Sequence, residues 1–147
     1  ILADLQSRDK KGILEELAAP VARAAGVDHG DMVRVLMERE RLGSTGIGGG
    51  IGIPHGKLKQ LETLVLGFGL SRAGADFESM DGRPTHIFFL LALRNDALHL
   101  RWLSRLAWIV RSPGRLSRMN DAGSAEEIHA ILLEAAAALP ASLRPHG

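Results

Sequence analysis

Cysteine is missing from this 147-residue chain, and disulfides, thiolate nucleophiles and cysteine-based zinc sites go with it. Tyrosine is missing too, and aromatic residues make up only 4%, too few for base-stacking platforms. Charge of one sign is not in excess. The 18 Lys and Arg stand against 17 Asp and Glu, a formal net charge of +1. That balance gives neither a basic field for nucleic acid nor an acidic tail. Long hydrophobic runs are lacking as well: the longest strongly apolar one, Ile87 to Leu93, falls far short of a bilayer span. Residues 1–6 are too short and too polar for a signal peptide. No direct membrane insertion is expected, and a cytoplasmic location is permitted. Ile1 rather than Met stands first, so further N-terminal sequence is expected. What is present is an ordinary globular balance, 46% hydrophobic and 24% charged, at a length suited to one domain with one core over residues 1–147.

Ile13, Leu14, Leu17, Ala18, Val21 and Ala24 recur at helical spacing and predict a helix over 8–25. Pro20 lies inside it, so a kink or a split into two short helices is expected. Asp28 is placed to cap a second helix running to about Leu42. Residues 63–70 alternate, with Leu64, Leu66, Phe68 and Leu70 on one side, and read as a strand. Ile87 to Leu93 reads as a central strand covered on both faces. A helix follows over 96–111, then a break at Pro113-Gly114 and a short helix from Arg115 to Met119. Ser124-Ala-Glu-Glu127 is a capping-box pattern opening a last helix that ends near Pro140. The tail 141–147 is expected to fray. Strands and helices interleave, so the class is α/β: a mixed or mostly parallel central sheet flanked by helices.

Between these elements lies an unusual stretch. Gly43, Gly46, Gly48, Gly49, Gly50, Gly52 and Gly56 make seven of the chain's 17 glycines. So much glycine loses conformational entropy on folding, and the usual return is a positive φ or a close approach by backbone or ligand. Nucleotide motifs do not fit: Gly56-Lys57 is followed by Leu58, not Ser or Thr, and no G-x-G-x-x-G spacing falls in 43–56. The six histidines have no metal-ligand spacing, no Ser sits in a nucleophile elbow, and no metal or other cofactor is expected. Ile51 and Ile53 suggest a short strand stopped by Pro54. That leaves His55 at a strand end, stiffened by Pro54 and bared by Gly56. Imidazole attacks phosphorus competently near neutral pH. A phosphoryl group on its ring would need donors, which Ser44, Thr45, the Gly56 N–H and a nearby arginine are placed to offer. From these residues alone, a structural or solvated turn histidine stands beside the nucleophile as an open reading.

The run from Arg39 to Leu58, with Gly-Ser-Thr-Gly-Ile-Gly leading to Ile-Pro-His55-Gly56-Lys-Leu, resembles the phosphorylation-site signature of type-2 enzyme IIA domains of the bacterial phosphotransferase system, the fructose, mannitol and nitrogen-regulatory family. Phe77, Asp81-Gly-Arg-Pro, the apolar strand 87–93 and His99-Leu-Arg-Trp-Leu-Ser-Arg-Leu follow in the family's order. The Gly-Ser-Thr-Gly-Ile-Gly wording is similar to the nitrogen-regulatory branch. The resemblance implies a phosphotransferase component in which His55 accepts a phosphoryl group from a histidine-containing phosphocarrier protein (HPr- or NPr-like). It implies that His99 is a second active-site histidine and that Arg39 balances phosphate charge. A nitrogen-regulatory signalling role is the expectation. A sugar-system domain handing the phosphoryl group to a separate enzyme IIB cysteine, or a regulatory binding module without transfer, are its alternatives. Where the family usually has Asn and Ala, this chain has Gly49 and Gly52.

Overall fold

The apolar stripe of the first predicted helix becomes α1, Lys10–Ala25. The Asp9 carboxylate caps it by accepting from the Gly12 N–H at 2.8 Å, and Gly26 closes it at φ 70°. One helix runs through Pro20, where a kink or a split was expected. Leu17, Ala18, Val21 and Ala22 are buried on both sides of the proline, and that packing outweighs one lost hydrogen bond. Asp28 caps α2, His29–Arg41, by accepting from the Asp31 N–H. The computed structural model describes residues 1–2, 4–61, 64–94 and 96–143, with the backbone alone for 96–100 and 143. The tail 141–147 was expected to fray; Ala141–Leu143 instead form a 3₁₀ turn, and residues 144–147 lie outside the described residues.

Among the described residues five strands follow: β1 Gly46–Gly48, β2 Ile51–Gly52, β3 His55–Lys57, β4 Val65–Ala75 and β5 Thr85–Leu93. After them come α3 Asp96–Val110, α4 Pro113–Asp121, α5 Ala125–Ala137 and a 3₁₀ turn at Ala141–Leu143. The sheet is mixed and built around β5. β4 pairs with it antiparallel, from Val65 opposite Ala92 to Ala75 opposite Thr85. β2 and β3 pair with it parallel: Ile51 lies opposite Ile87 and His55 opposite Leu91. The register is therefore unbroken across Pro54. A proline lacks one donor, but its carbonyl still accepts from the Leu91 N–H at 2.9 Å, so one rung is lost and the strand resumes. Pro54 was expected to stop the strand; it interrupts it.

β5 is apolar without a break because it is covered on both faces. Phe88, Leu90 and Ala92 belong to the core under α1 and α2. Ile87, Phe89, Leu91 and Leu93 belong to the core under α3, α4 and α5, together with Leu106, Met119, Ile128 and Ile131. One domain thus has two apolar layers separated by its sheet. Residues near the N-terminus extend β4's outer edge, with Leu2 bonding to Phe68 and Leu70, and Leu5 to Leu70.

Candidate active site

Glycine comes first, because it shapes the approach to His55. Gly48, Gly49 and Gly50 have φ of 91°, 65° and 80°, conformations that side chains with a Cβ rarely adopt. They turn the chain from β1 back into antiparallel β2. The family's usual Asn at position 49 fits that conformation, since Asn tolerates the left-handed region best after Gly. Positive φ thus accounts for Gly48, Gly49 and Gly50 without a ligand.

His55 is the first residue of β3 and is half-buried. Its Nδ1 lies 2.8 Å from the Ile53 carbonyl oxygen, which can only accept, so Nδ1 carries the proton. Arg39 Nε, which can only donate, lies 3.2 Å from Nε2. The neutral ring is thereby held in one tautomer, with the Nε2 lone pair turned toward the guanidinium. Arg39 also donates from Nη1 to the Gly43 carbonyl at 3.0 Å. Val35, Glu38, Arg39 and Leu42 share one face of the end of α2, three and four residues apart. With His55, Gly56, Lys57 and Leu93 they line an open cleft of about 420 Å³.

The other expected site residues fare differently. Ser44 donates its hydroxyl to the Phe77 carbonyl and accepts from the Gly46 N–H. Thr45 is 4% exposed and gives its hydroxyl to Glu40. Both hydroxyls hold the loop together, where a phosphate contact was expected. The Gly56 N–H was expected to face an anion, but the rungs at Pro54 and Leu58 turn residue 56's backbone polar groups toward β5. Glycine is needed there because a Cβ would lie 2.6 Å from Val35 Cγ1. The side chain of His99 lies outside the described residues; its backbone is in the first turns of α3. Among the described residues, no group of three or more His, Cys, Asp or Glu is placed to hold a metal ion. His86 donates from Nδ1 to the Ser71 carbonyl oxygen, 2.9 Å away, a structural contact.

Residues 1–135 match the family described as "Phosphoenolpyruvate-dependent sugar phosphotransferase system, EIIA 2". The chain belongs to that family. A nitrogen regulatory protein of Bradyrhizobium diazoefficiens is 38% identical over 134 residues, which cover 90% of this chain and 88% of that protein. The crystal structure of nitrogen regulatory protein IIA-Ntr from Neisseria meningitidis matches with a TM-score of 0.81 at 34% identity, over 88% of this chain and 90% of that one. IIA mannitol from Escherichia coli, at 18% identity, shares the fold with a TM-score of 0.77 over 89% of this chain and 94% of its own. The expected architecture, an open mixed sheet flanked by helices, is the one these IIA domains have. Membership makes the chain a phosphotransfer component of the system, a class of domain that works with partner proteins. No helix among the described residues is long and apolar enough to cross a membrane.

Two residues of this enzyme IIA domain were not placed at the site from the sequence: Lys57 reads there as a loop charge or one that steers an acidic partner, and Glu40 as part of a solvated helix face. Lys57 shares the cleft with His55, two residues along the same strand, a spacing that puts both on one face. Recognising that the strand resumes after Pro54 would have found it. Glu40 lies in a row of charges, Glu38-Arg39-Glu40-Arg41, that reads as a solvated helix face; its burial depends on where α1 packs, which no local pattern records.

Proposed function

We propose that this enzyme IIA domain is a phosphohistidine carrier in which Nε2 of His55 accepts a phosphoryl group from a phosphohistidine on a small carrier protein. The observation that carries the reading is the pair of unlike contacts on the ring: a carbonyl on Nδ1 and a guanidinium on Nε2. The first leaves the proton where it does not obstruct attack. The second sets a fixed positive charge where the phosphoryl oxygens would arrive.

The neutral Nε2 attacks phosphorus in line, the Nε2–P bond forms, and the P–N bond to the carrier's imidazole breaks. If the carrier's ring is protonated on its other nitrogen, it departs neutral. His55 keeps its Nδ1 proton on the Ile53 carbonyl, so no proton need cross the interface. Bonds of one kind are exchanged, and the chain's contribution is placement and charge balance. Arg39 turns from the lone pair onto the phosphoryl oxygens. His99, from the first turns of α3, is assigned as a second donor, and Lys57 adds positive charge to the cleft mouth.

The similarity to nitrogen regulatory proteins favours a signalling output. The phosphoryl group adds roughly −1.5 to −2 charge at neutral pH, enough to change which protein docks over the cleft. Incubation with enzyme I, the phosphocarrier and phosphoenolpyruvate tests the reading. An acid-labile phosphoprotein with its ³¹P signal coupled to Nε2 of His55, absent in His55→Ala, is expected. An unlabelled wild type with an active carrier, or label on another residue, refutes it.

A further inference from the structure

We propose that Glu40 is a positioning residue that holds both ring nitrogens of His55 in place, through Thr45 on one side and Arg39 on the other. The inference rests on the transfer reaction at His55 proposed above, and it begins from a charged group that this reaction does not use. The Glu40 side chain is 2% exposed. A carboxylate is costly to bury unless it is paired and its oxygens are hydrogen-bonded. Both conditions hold. Lys10 Nζ, on a side chain 10% exposed, lies 2.8 Å from Oε2. The Thr45 N–H donates to the same oxygen at 3.1 Å, and the Thr45 hydroxyl donates to Oε1. Lys10 is itself held by Glu78 at 3.3 Å and by the Phe77 ring, 5.0 Å from its centroid.

Three donors from the start of α1 and from the glycine-rich loop thus converge on one carboxylate in the last turn of α2. Two routes run from it to the imidazole. Along the loop, the Thr45 carbonyl accepts from the Ile53 N–H at 3.0 Å, and the Ile53 carbonyl meets Nδ1 of His55. Along the helix, Glu40 follows Arg39 directly, so pinning that turn fixes the rotation of Arg39, whose Nε meets Nε2. A loop carrying three consecutive positive-φ glycines has little stiffness of its own. The Glu40–Thr45 contact ties its entry to the helix before those glycines begin.

The test uses the full chain and its phosphorylated carrier protein. Thr45→Val removes the hydroxyl at nearly constant volume, and Thr45→Ser restores it. Ile128→Val, in the core under α3, α4 and α5, gives a loss of stability away from the site. Thr45→Val is expected to lower the limiting transfer rate roughly ten- to hundredfold, with the half-saturating carrier concentration unchanged. Thr45→Ser recovers that rate and Ile128→Val leaves it alone. In ¹⁵N spectra of His55, the wild type shows the Nδ1–H tautomer, and Thr45→Val and Glu40→Gln both mix in the other one.

If His55 is phosphorylated normally while Thr45→Val changes neither rate nor tautomer, the positioning role is overturned and the carrier reading stands. If Thr45→Val and Ile128→Val slow transfer alike, Glu40 is only structural and the inference is likewise overturned. If the wild type takes no phosphate, the carrier reading falls, and the spectra alone decide: an unchanged tautomer in Thr45→Val overturns the inference, and a mixed one supports it.

Discussion

Replacing Gly56 by alanine would put a methyl carbon 2.6 Å from Val35 Cγ1 and 3.5 Å from Leu36 Cδ2. Carbon atoms rest about 3.5 to 4.0 Å apart, so the first contact must open by about 1 Å. Val35 has little freedom to provide it, because a β-branched side chain on a helix keeps one preferred χ1. Either Val35 leaves its rotamer or the end of α2 lifts off β3. Overpacking of this kind costs about 1 to 3 kcal/mol. Replacing Gly by Ala returns about 0.4 to 1 kcal/mol through the unfolded chain, provided the backbone conformation suits alanine. A net loss of about 1 to 2 kcal/mol is expected, a fall in Tm of roughly 2 to 8 °C for a domain of this size. Thermal and urea melts of Gly56→Ala, Val35→Ala and the double variant check it. Val35→Ala removes the clashing methyl, so the double variant should be more stable than the sum of the single effects by about 1 kcal/mol. Arg39 lies one turn beyond Val35 on the same helix face, so Gly56→Ala should also slow phosphoryl transfer and the double variant recover it. A Gly56→Ala protein that melts with the wild type, or an additive double variant, refutes the argument that this contact is why glycine is there.

Arg39→Lys should slow transfer by about tenfold or more despite its charge, because one ammonium cannot hold the Gly43 carbonyl and His55 together as the planar guanidinium does; single-turnover kinetics with phosphorylated carrier read this. Pro20→Ala should raise stability by about 1 to 2 kcal/mol, less than the intrinsic helix difference of about 3 kcal/mol because the unfolded chain also gains freedom; a urea melt with unchanged m-value checks it. Burial alone would raise the Glu16 carboxyl, but the N–H groups of Gln6 and Ser7 and the Ser7 side chain outweigh it and hold Glu16 below its ordinary value. A carboxylate lowered in the folded state contributes stability that is present above its unfolded-state value and lost as pH falls through its folded one. Acidification below about pH 4.3, the unperturbed glutamate value, should therefore reduce hydrogen-exchange protection at Gln6 and Ser7 before the core, and Glu16→Gln should flatten that dependence.

The two apolar layers were legible because periodicity alone reports which residues need covering. Leu64, Phe68 and Leu70 do lie with the α3–α5 core, and the unbroken run 87–93 is buried from end to end. β1 was not legible: Gly-Ile-Gly has weak strand propensity and Ile47 is half exposed, so the strand exists only because three positive-φ glycines return the chain alongside it. Pro20 was read as a kink or a split, and Pro54 as a stop. In both places the missing N–H removes one hydrogen bond, while the packing of α1 and the register with β5 supply many more interactions than are lost. At the site, His55 stood out by its neighbours, whereas Arg39 and His99 entered only through the family pattern. Ser44 and Thr45 were read as phosphate donors because a hydroxyl beside a glycine-rich loop looks like an anion ligand; their present partners, the Phe77 carbonyl for Ser44 and the buried Glu40 carboxylate for Thr45, leave no local pattern in the sequence.

In the proposed transfer, Arg39 has two tasks that exclude one another in time. While the ring is free, its Nε sits on the Nε2 lone pair at 3.2 Å, in the direction from which phosphorus must approach. Once the phosphoryl group arrives, the same guanidinium has to meet its oxygens. If the contact from Nη1 to the Gly43 carbonyl is kept through the change, the arginine swings about its far end and does not leave the cleft. Such a swing favours short, well-placed movement over reach, and the cleft provides it: His55 is set in a strand and Arg39 in the last turn of a helix, both tied to Glu40. A phosphate on a rigid strand beside a pivoting guanidinium changes the charge at the cleft mouth while moving little backbone. A partner that distinguishes the two states must then do so chiefly by charge, and its preference should weaken as salt is raised.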